Sequence, residues 1–168
     1  MRIALLLFLL ASPAYAQTQD AASAALFACG PANVKFDVKE SGVPVDAASE
    51  PGKALVYVIE DTGQVADITI RVGLDGGWVG ANQGNTHFSF LVSPGEHHLC
   101  ANWQSSLSSR SAFYSLANFT VEAGKIYYFR ARLWEGARIA PLDLDPLNSD
   151  EGRYLVVASP LAVSHAKK

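Results

Sequence analysis

"DITIRVGLDGGWVGA", residues 67–81, decides the fold. Ile68, Ile70, Val72 and Leu74 recur at every second position, and Thr69 and Arg71 fall between them. That period of two is the signature of a strand with one face in a core. Asp75, Gly76 and Gly77 then supply residues that tolerate positive φ, as a tight hairpin demands, and "WVGA" (78–81) reads as the return strand.

The same grammar repeats on both sides. "KALVYVIE" (53–60) is rich in Val, Ile and Tyr and too short for a typical helix. "THFSFLV" (86–92) turns Phe88, Phe90 and Val92 to one face. "SPGE" (93–96) reads as the turn of a hairpin, with Pro94 fixing φ and Gly95 providing the positive φ of a type II turn. The strand after it sets Leu99, Ala101 and Trp103 against His98, Cys100 and Asn102. "FYSLANFTV" (113–121) and "KIYYFRARLW" (125–134) flank the tight turn "EAG" (122–124). Tyr127, Phe129, Ala131 and Leu133 should face in, and Ile126, Tyr128, Arg130 and Arg132 out. Strands at this spacing predict a mainly β domain, an antiparallel β-sandwich of immunoglobulin or transthyretin type.

The tail changes character. Ser149, Asp150 and Glu151 resemble a helix cap followed by acid in a first turn, and "RYLVVA" (153–158) would form the helix body before Pro160. A last edge strand is the alternative, since Gly152 weakens a helix and short apolar runs are ambiguous. The expected layout is a signal peptide over 1–16, an N-terminal segment 17–52, a sandwich domain 53–160 and a loose tail 161–168.

The signal-peptide expectation rests on Arg2, the apolar stretch "IALLLFLLA" (3–11) and the small residues of Ala14-Tyr15-Ala16. The apolar stretch is too short to span a bilayer. Cleavage near Ala16 would send the chain out of the cytoplasm, periplasmic or secreted. A lipoprotein acylated at Cys29 is the rival, but Phe27 is bulky for a lipobox and Asp20 breaks the apolar run. Removing the leader takes the thirteen Lys and Arg to twelve against sixteen Asp and Glu, moving the formal charge from −3 to −4. With no basic cluster, nucleic acid is not an expected partner. Cys29 and Cys100 are the whole cysteine complement, and in an oxidising compartment one disulfide is the economical assignment.

"KALVYVIED", "RVGLDGGWVG", "FLVSPGEHHLCA" and "FTVEAGKIYYFRARL", in that order, resemble a bacterial family catalogued as domain of unknown function 2846. The resemblance runs from about Lys53 to Arg153. It implies a secreted or lipid-anchored β-sandwich and lends no catalytic residues.

"SPGEHHLCANWQ" (93–104) invites a metal or redox reading. Neighbours on a strand point to opposite faces, so only one of His97 and His98 could join Cys100, and His98 has the matching parity. A metal centre would need His98 together with His87 or His165, because neither C-x₂₋₄-C nor H-x₃₋₅-H spacing occurs. There is no C-x-x-C pair for thiol chemistry. "DLDPLNSDE" (143–151) offers Asp143, Asp145, Asn148 and Asp150 as oxygen donors, yet lacks the calcium-loop pattern and its glycine. The serines of "QSSLSSRSAF" (104–113) lie outside any G-x-S-x-G elbow.

No cofactor and no catalytic residue is therefore expected. A binding surface is sought in the loop "WVGANQGN" (78–85), where Trp78 with Asn82, Gln83 and Asn85 could stack on and hydrogen-bond a sugar. The leading expectation is a non-catalytic module contacting an envelope or extracellular partner, protein or carbohydrate. A metal-handling periplasmic protein is the alternative, and a cryptic hydrolase the third.

Overall fold

The computed structural model of the chain describes residues 27–41, 50–62, 68–106, 113–134 and 142–167. The elements run β1 (Lys35–Ser41), β2 (Ala54–Glu60), β3 (Thr69–Leu74), β4 (Gly77–Gln83), β5 (His87–Val92), β6 (Gly95–Gln104), β7 (Tyr114–Val121), β8 (Ile126–Leu133), β9 (Leu142–Leu147), α1 (Ser149–Ala158) and β10 (Leu161–Lys167). Two sheets form among these residues, ordered β1-β10-β5-β2-β8-β9 and β4-β3-β6-β7. Six of their pairings are antiparallel; β2 with β8 and β10 with β5 are parallel.

The alternating rows build the core. Val56 and Val58 of β2, Ile70 and Val72 of β3, Phe88 of β5, Leu99 and Ala101 of β6 and Phe129 and Ala131 of β8 form one buried cluster spanning both sheets. Tyr127 and Phe129 meet Phe119 edge-on, at ring distances of 5.6 and 5.0 Å. The mainly β sandwich expected from the sequence is the observed architecture.

Two turns expected as local hairpin or tight connections change sheets instead. β5 belongs to the six-stranded sheet and β6 to the four-stranded one, so "SPGE" carries the chain from one layer to the other. Gly95 does take positive φ, at 139°. The turn after β7 makes the return crossing to β8. Only the β3–β4 turn is a hairpin of the kind read from the sequence, with Asp75 at φ 49° and Gly76 at φ 92°. A two-residue turn with positive φ at both central positions matches the twist of the strands it joins.

The expected domain limits of 53 and 160 are too narrow. Residues 161–167, expected loose, form β10, and 35–41 form β1; the two pair along their whole lengths, Lys35 opposite Lys167 through Ser41 opposite Leu161. Both are edge-region strands with few large apolar residues, so little in their composition announced them. The 149–158 ambiguity resolves as a helix. Its cap is Asn148, not Ser149: the Asn148 side chain accepts from the backbone N–H of Asp150 and Glu151 at 3.1 and 3.0 Å.

Helix α1 lies on the outer face of the six-stranded sheet. Gly152 sits on the Tyr128 ring so closely that a β-carbon there would come 2.2 Å from Tyr128 Cγ. Tyr128 stacks in turn on Tyr57, 5.5 Å between rings. Arg130 Nη1 donates to Glu151 at 2.9 Å, and Ser159 at the helix end meets His87 Nδ1 at 3.0 Å.

Candidate functional site

The N-terminal segment takes up two of the residues that looked like a site, Cys100 and Trp78. A disulfide joins Cys29 to Cys100 with Cα atoms 5.2 Å apart, fixing residues 28–34 across the outer face of the four-stranded sheet. Arg71, on the strand face opposite Ile70 and Val72 as its parity predicts, is 5% exposed beneath that segment. Its guanidinium donates to Asn102 Oδ1 and to the carbonyls of Ala32 and Val34. Burial lowers its pKa, with the nearby Tyr114 working the other way. Asn102 passes the chain of bonds to the Phe113 carbonyl at 3.0 Å. An arginine fork holding three acceptors is a structural clamp.

Trp78 belongs to the same clamp. The register slips between Val72 and Gly73, pairing Gly73 with Trp78, and this bulge turns the indole outward onto the segment. Trp78 Nε1 donates to the Pro31 carbonyl at 2.9 Å, and the Arg71 guanidinium lies 4.3 Å from its ring centre. A side chain on Gly30 would strike the indole at 2.4 Å. The expected binding loop therefore loses two members. Trp78 is packed, and Asn82 is fully buried, facing the interior opposite Ile70 with Nδ2 donating to the Val58 carbonyl at 3.0 Å. Gln83 is half-buried, and Asn85, at φ 58°, accepts from the Thr62 backbone N–H at 2.9 Å.

The histidines are spread apart. His97 shares the inward face with Leu99, where it meets Phe119, and bonds Asp75 at 2.6 Å and the Ser93 carbonyl at 2.8 Å. His98, of opposite parity, shares the outward side of the four-stranded sheet with Cys100. His87 and His165 lie on the outward rows of the six-stranded sheet, His87 opposite Ile59 and His165 opposite Asp37. The core separates them from His98, since stacked sheets stand about 10 Å apart. The alternative metal set is thus not assembled, and among the described residues no three His, Cys, Asp or Glu gather in a way that could hold a metal ion. Burial lowers the His87 pKa, against an opposing contact with Ser159. Asp75 is the anchor of this corner. Burial would raise its pKa, but the His98 backbone N–H and the His97 ring outweigh that and bring it below the usual carboxylate range.

The acidic segment is structural where it is described. Asp143 accepts from Trp134 Nε1, Asp145 lies opposite Arg130, and Asn148 caps α1. Residues 107–112 of the serine-rich loop, and the leader at 1–16, lie outside the described residues.

Two further features stand outside the 78–85 loop. Trp134 is 49% exposed at the end of β8 while held on two sides, by the Nε1 bond to Asp143 and by Arg132, whose guanidinium lies 5.1 Å from the ring centre. Arg132 is itself fixed, donating through Nε to the Asp61 carbonyl at 3.0 Å and through Nη2 to the Asp61 carboxylate. The second is Glu60, 1% exposed, whose carboxyl is pushed up to about 8 by burial, with Thr62 and the Gly84 backbone acting in the other direction. Its parity with Val56 and Val58 was the available signal: "ALVYVIE" sends residue 60 to the same face as those valines.

Comparison with known protein families, with curated proteins and with solved structures returns no match. The likeness to the uncharacterised bacterial family rests on the four motifs alone. The disulfide is typical of chains that fold in an oxidising compartment outside the cytoplasm. No helix among the described residues is long and apolar enough to cross a membrane.

Proposed function

We propose that the protein is a non-catalytic binding module of the cell envelope or extracellular space, and that Trp134 is the centre of its contact surface. The observation that supports this most is the pairing of exposure with restraint at one indole. An aromatic left half open to solvent and fixed along its edge and against a guanidinium has little side-chain freedom left to lose on binding. Asp143 and Arg132 border it with an acceptor and a donor, and Asp61 holds Arg132 in place. A flat apolar face rimmed by such groups suits a pyranose ring. An envelope or extracellular glycan is the partner class proposed, in place of the Trp78 loop as the site.

The leader with its cleavage near Ala16, and membership of the uncharacterised bacterial family, belong to the same proposal and are supported by the motifs and by the disulfide. Titration of tryptophan fluorescence with soluble peptidoglycan fragments and with neutral polysaccharides tests it. The wild type should show saturable quenching, and Trp134→Ala should abolish it with an unchanged thermal midpoint. Equal binding by the two proteins, or retention only of an envelope protein with no glycan response, would remove Trp134 and the glycan from the reading.

A further inference from the structure

Among the described residues, the buried carboxyl of Glu60 has no charge partner; it lies where β2 ends and the loop 83–86 begins. The inward row of β2 is Ala54, Val56, Val58 and then Glu60. From the opposite sheet Asn82 turns inward and reaches the carbonyl of Val58, one inward position before Glu60. The loop is tied to the same strand end: Glu60 N–H donates to the Thr86 carbonyl at 2.8 Å, Thr62 N–H to Asn85 Oδ1 at 2.9 Å, and Gln83 N–H to Thr86 Oγ1 at 3.2 Å.

Three buried oxygens at this corner have no hydrogen-bond partner: Glu60 Oε1, Glu60 Oε2 and Asn82 Oδ1. The amide of Asn82 cannot be turned to supply the missing donor, because its nitrogen is the group that donates to Val58. Thr62 and the Gly84 backbone approach the carboxyl closely enough to affect its acidity, yet neither completes a bond of normal geometry. A carboxylate and an amide oxygen are both acceptors, and leaving both unpaired in an apolar interior is costly. One proton resolves the conflict.

We propose that the Glu60 carboxyl keeps its proton at neutral pH and donates it to Asn82 Oδ1, latching the loop 83–86 and the β4 end of one sheet to β2 of the other, and that alkaline pH releases this latch. Among the described residues, the neighbours supply no competing charge. β4 has no ionisable residue, and the inward rows of β8, β9 and β10 carry none but Tyr127. Asp61 is turned to Arg132, while Arg71, Arg130 and His87 serve outer faces. His97 is inward but bound to Asp75, and Glu40 of β1 shares the inward parity while remaining exposed. Loss of the proton would set a carboxylate against Asn82 Oδ1, and the loop with Gln83, Gly84 and Asn85 would open to hydrate it.

Carbon-13 NMR of the Glu60 carboxyl, with amide exchange of Glu60 and Gln83, tests the latch in the full chain. The carboxyl should titrate several pH units above an ordinary glutamate. After correction for intrinsic base catalysis, both amides should lose about tenfold protection between roughly pH 6 and 9 in the wild type. Glu60→Gln, whose amide still donates to Asn82, should fold and show no such loss. A carboxyl that titrates in the ordinary range overturns the proposal, and that measurement needs only the wild type. Restoration of protection at high pH by millimolar calcium or magnesium, in the wild type and not in the glutamine variant, would make Glu60 a cation ligand and overturn it too.

Discussion

Arg71 gathers three acceptors at once. Asn102 Oδ1 and the carbonyls of Ala32 and Val34 all accept from its guanidinium. Arg71→Met keeps the length of the stem and strands those oxygens, so urea unfolding should show a loss of about 3 kcal/mol. At Asp75 the charge matters more than the shape, because asparagine also tolerates the positive φ found there. Its lowered pKa means that its stabilisation is present above the unfolded carboxylate pKa and disappears as pH falls through the folded one. Asp75→Asn should therefore cost about 1 kcal/mol at neutral pH, a modest figure for a partly exposed pair, and progressively less as pH falls below the ordinary carboxylate range. Glu60 has the opposite sign. Its folded pKa of about 8 lies above the ordinary value of 4.5, so stability is full below the latter and falls as pH rises through the former. These residues were hard to read in the sequence for one reason. Alternation tells which side a residue takes, and it cannot tell that residues 28–34 will roof the outer side. Arg71 was placed on the face away from the core and Trp78 was sought as a ligand contact, and both bind the chain's own N-terminal segment.

Among the elements, the central strands were legible because their inward rows are branched or aromatic: Ile70 and Val72, Phe88 and Val92, Phe129 and Leu133. Edge strand β1 and its neighbour β10 were not, since Lys, Ser, Ala and His dilute their pattern. Layer changes were invisible as well. A tight turn looks the same whether the next strand pairs beside the last or crosses to the facing sheet, and "SPGE" does the latter. Helix α1 gives two opposed expectations. Asn148→Ala removes the oxygen that accepts two backbone N–H groups and should lower the thermal midpoint in proportion to about 1 kcal/mol. Gly152→Ala would gain about 1 kcal/mol of helix propensity in isolation. Contact of the new methyl with the Tyr128 ring at 2.2 Å should more than cancel it, so calorimetry should find that variant less stable than the wild type.

For the whole molecule, the Cys29–Cys100 bridge spans a sequence separation of 71 and clamps the roof to the four-stranded sheet. Replacing both cysteines by serine should cost up to about 4 kcal/mol in the chain-entropy model, read as a lower urea midpoint. The variant should also quench more readily at Trp78, since the segment over it is held at fewer points. The pairing of β1 with β10 carries a different implication, one about synthesis. The first described strand hydrogen-bonds to the last along seven residue pairs. No partner for β1 exists until the chain has been made through Lys167. The six-stranded sheet thus cannot be completed piecemeal from the N-terminus, and a nascent chain halted before Leu161 would leave β5 and β1 as raw borders waiting for a holdase chaperone.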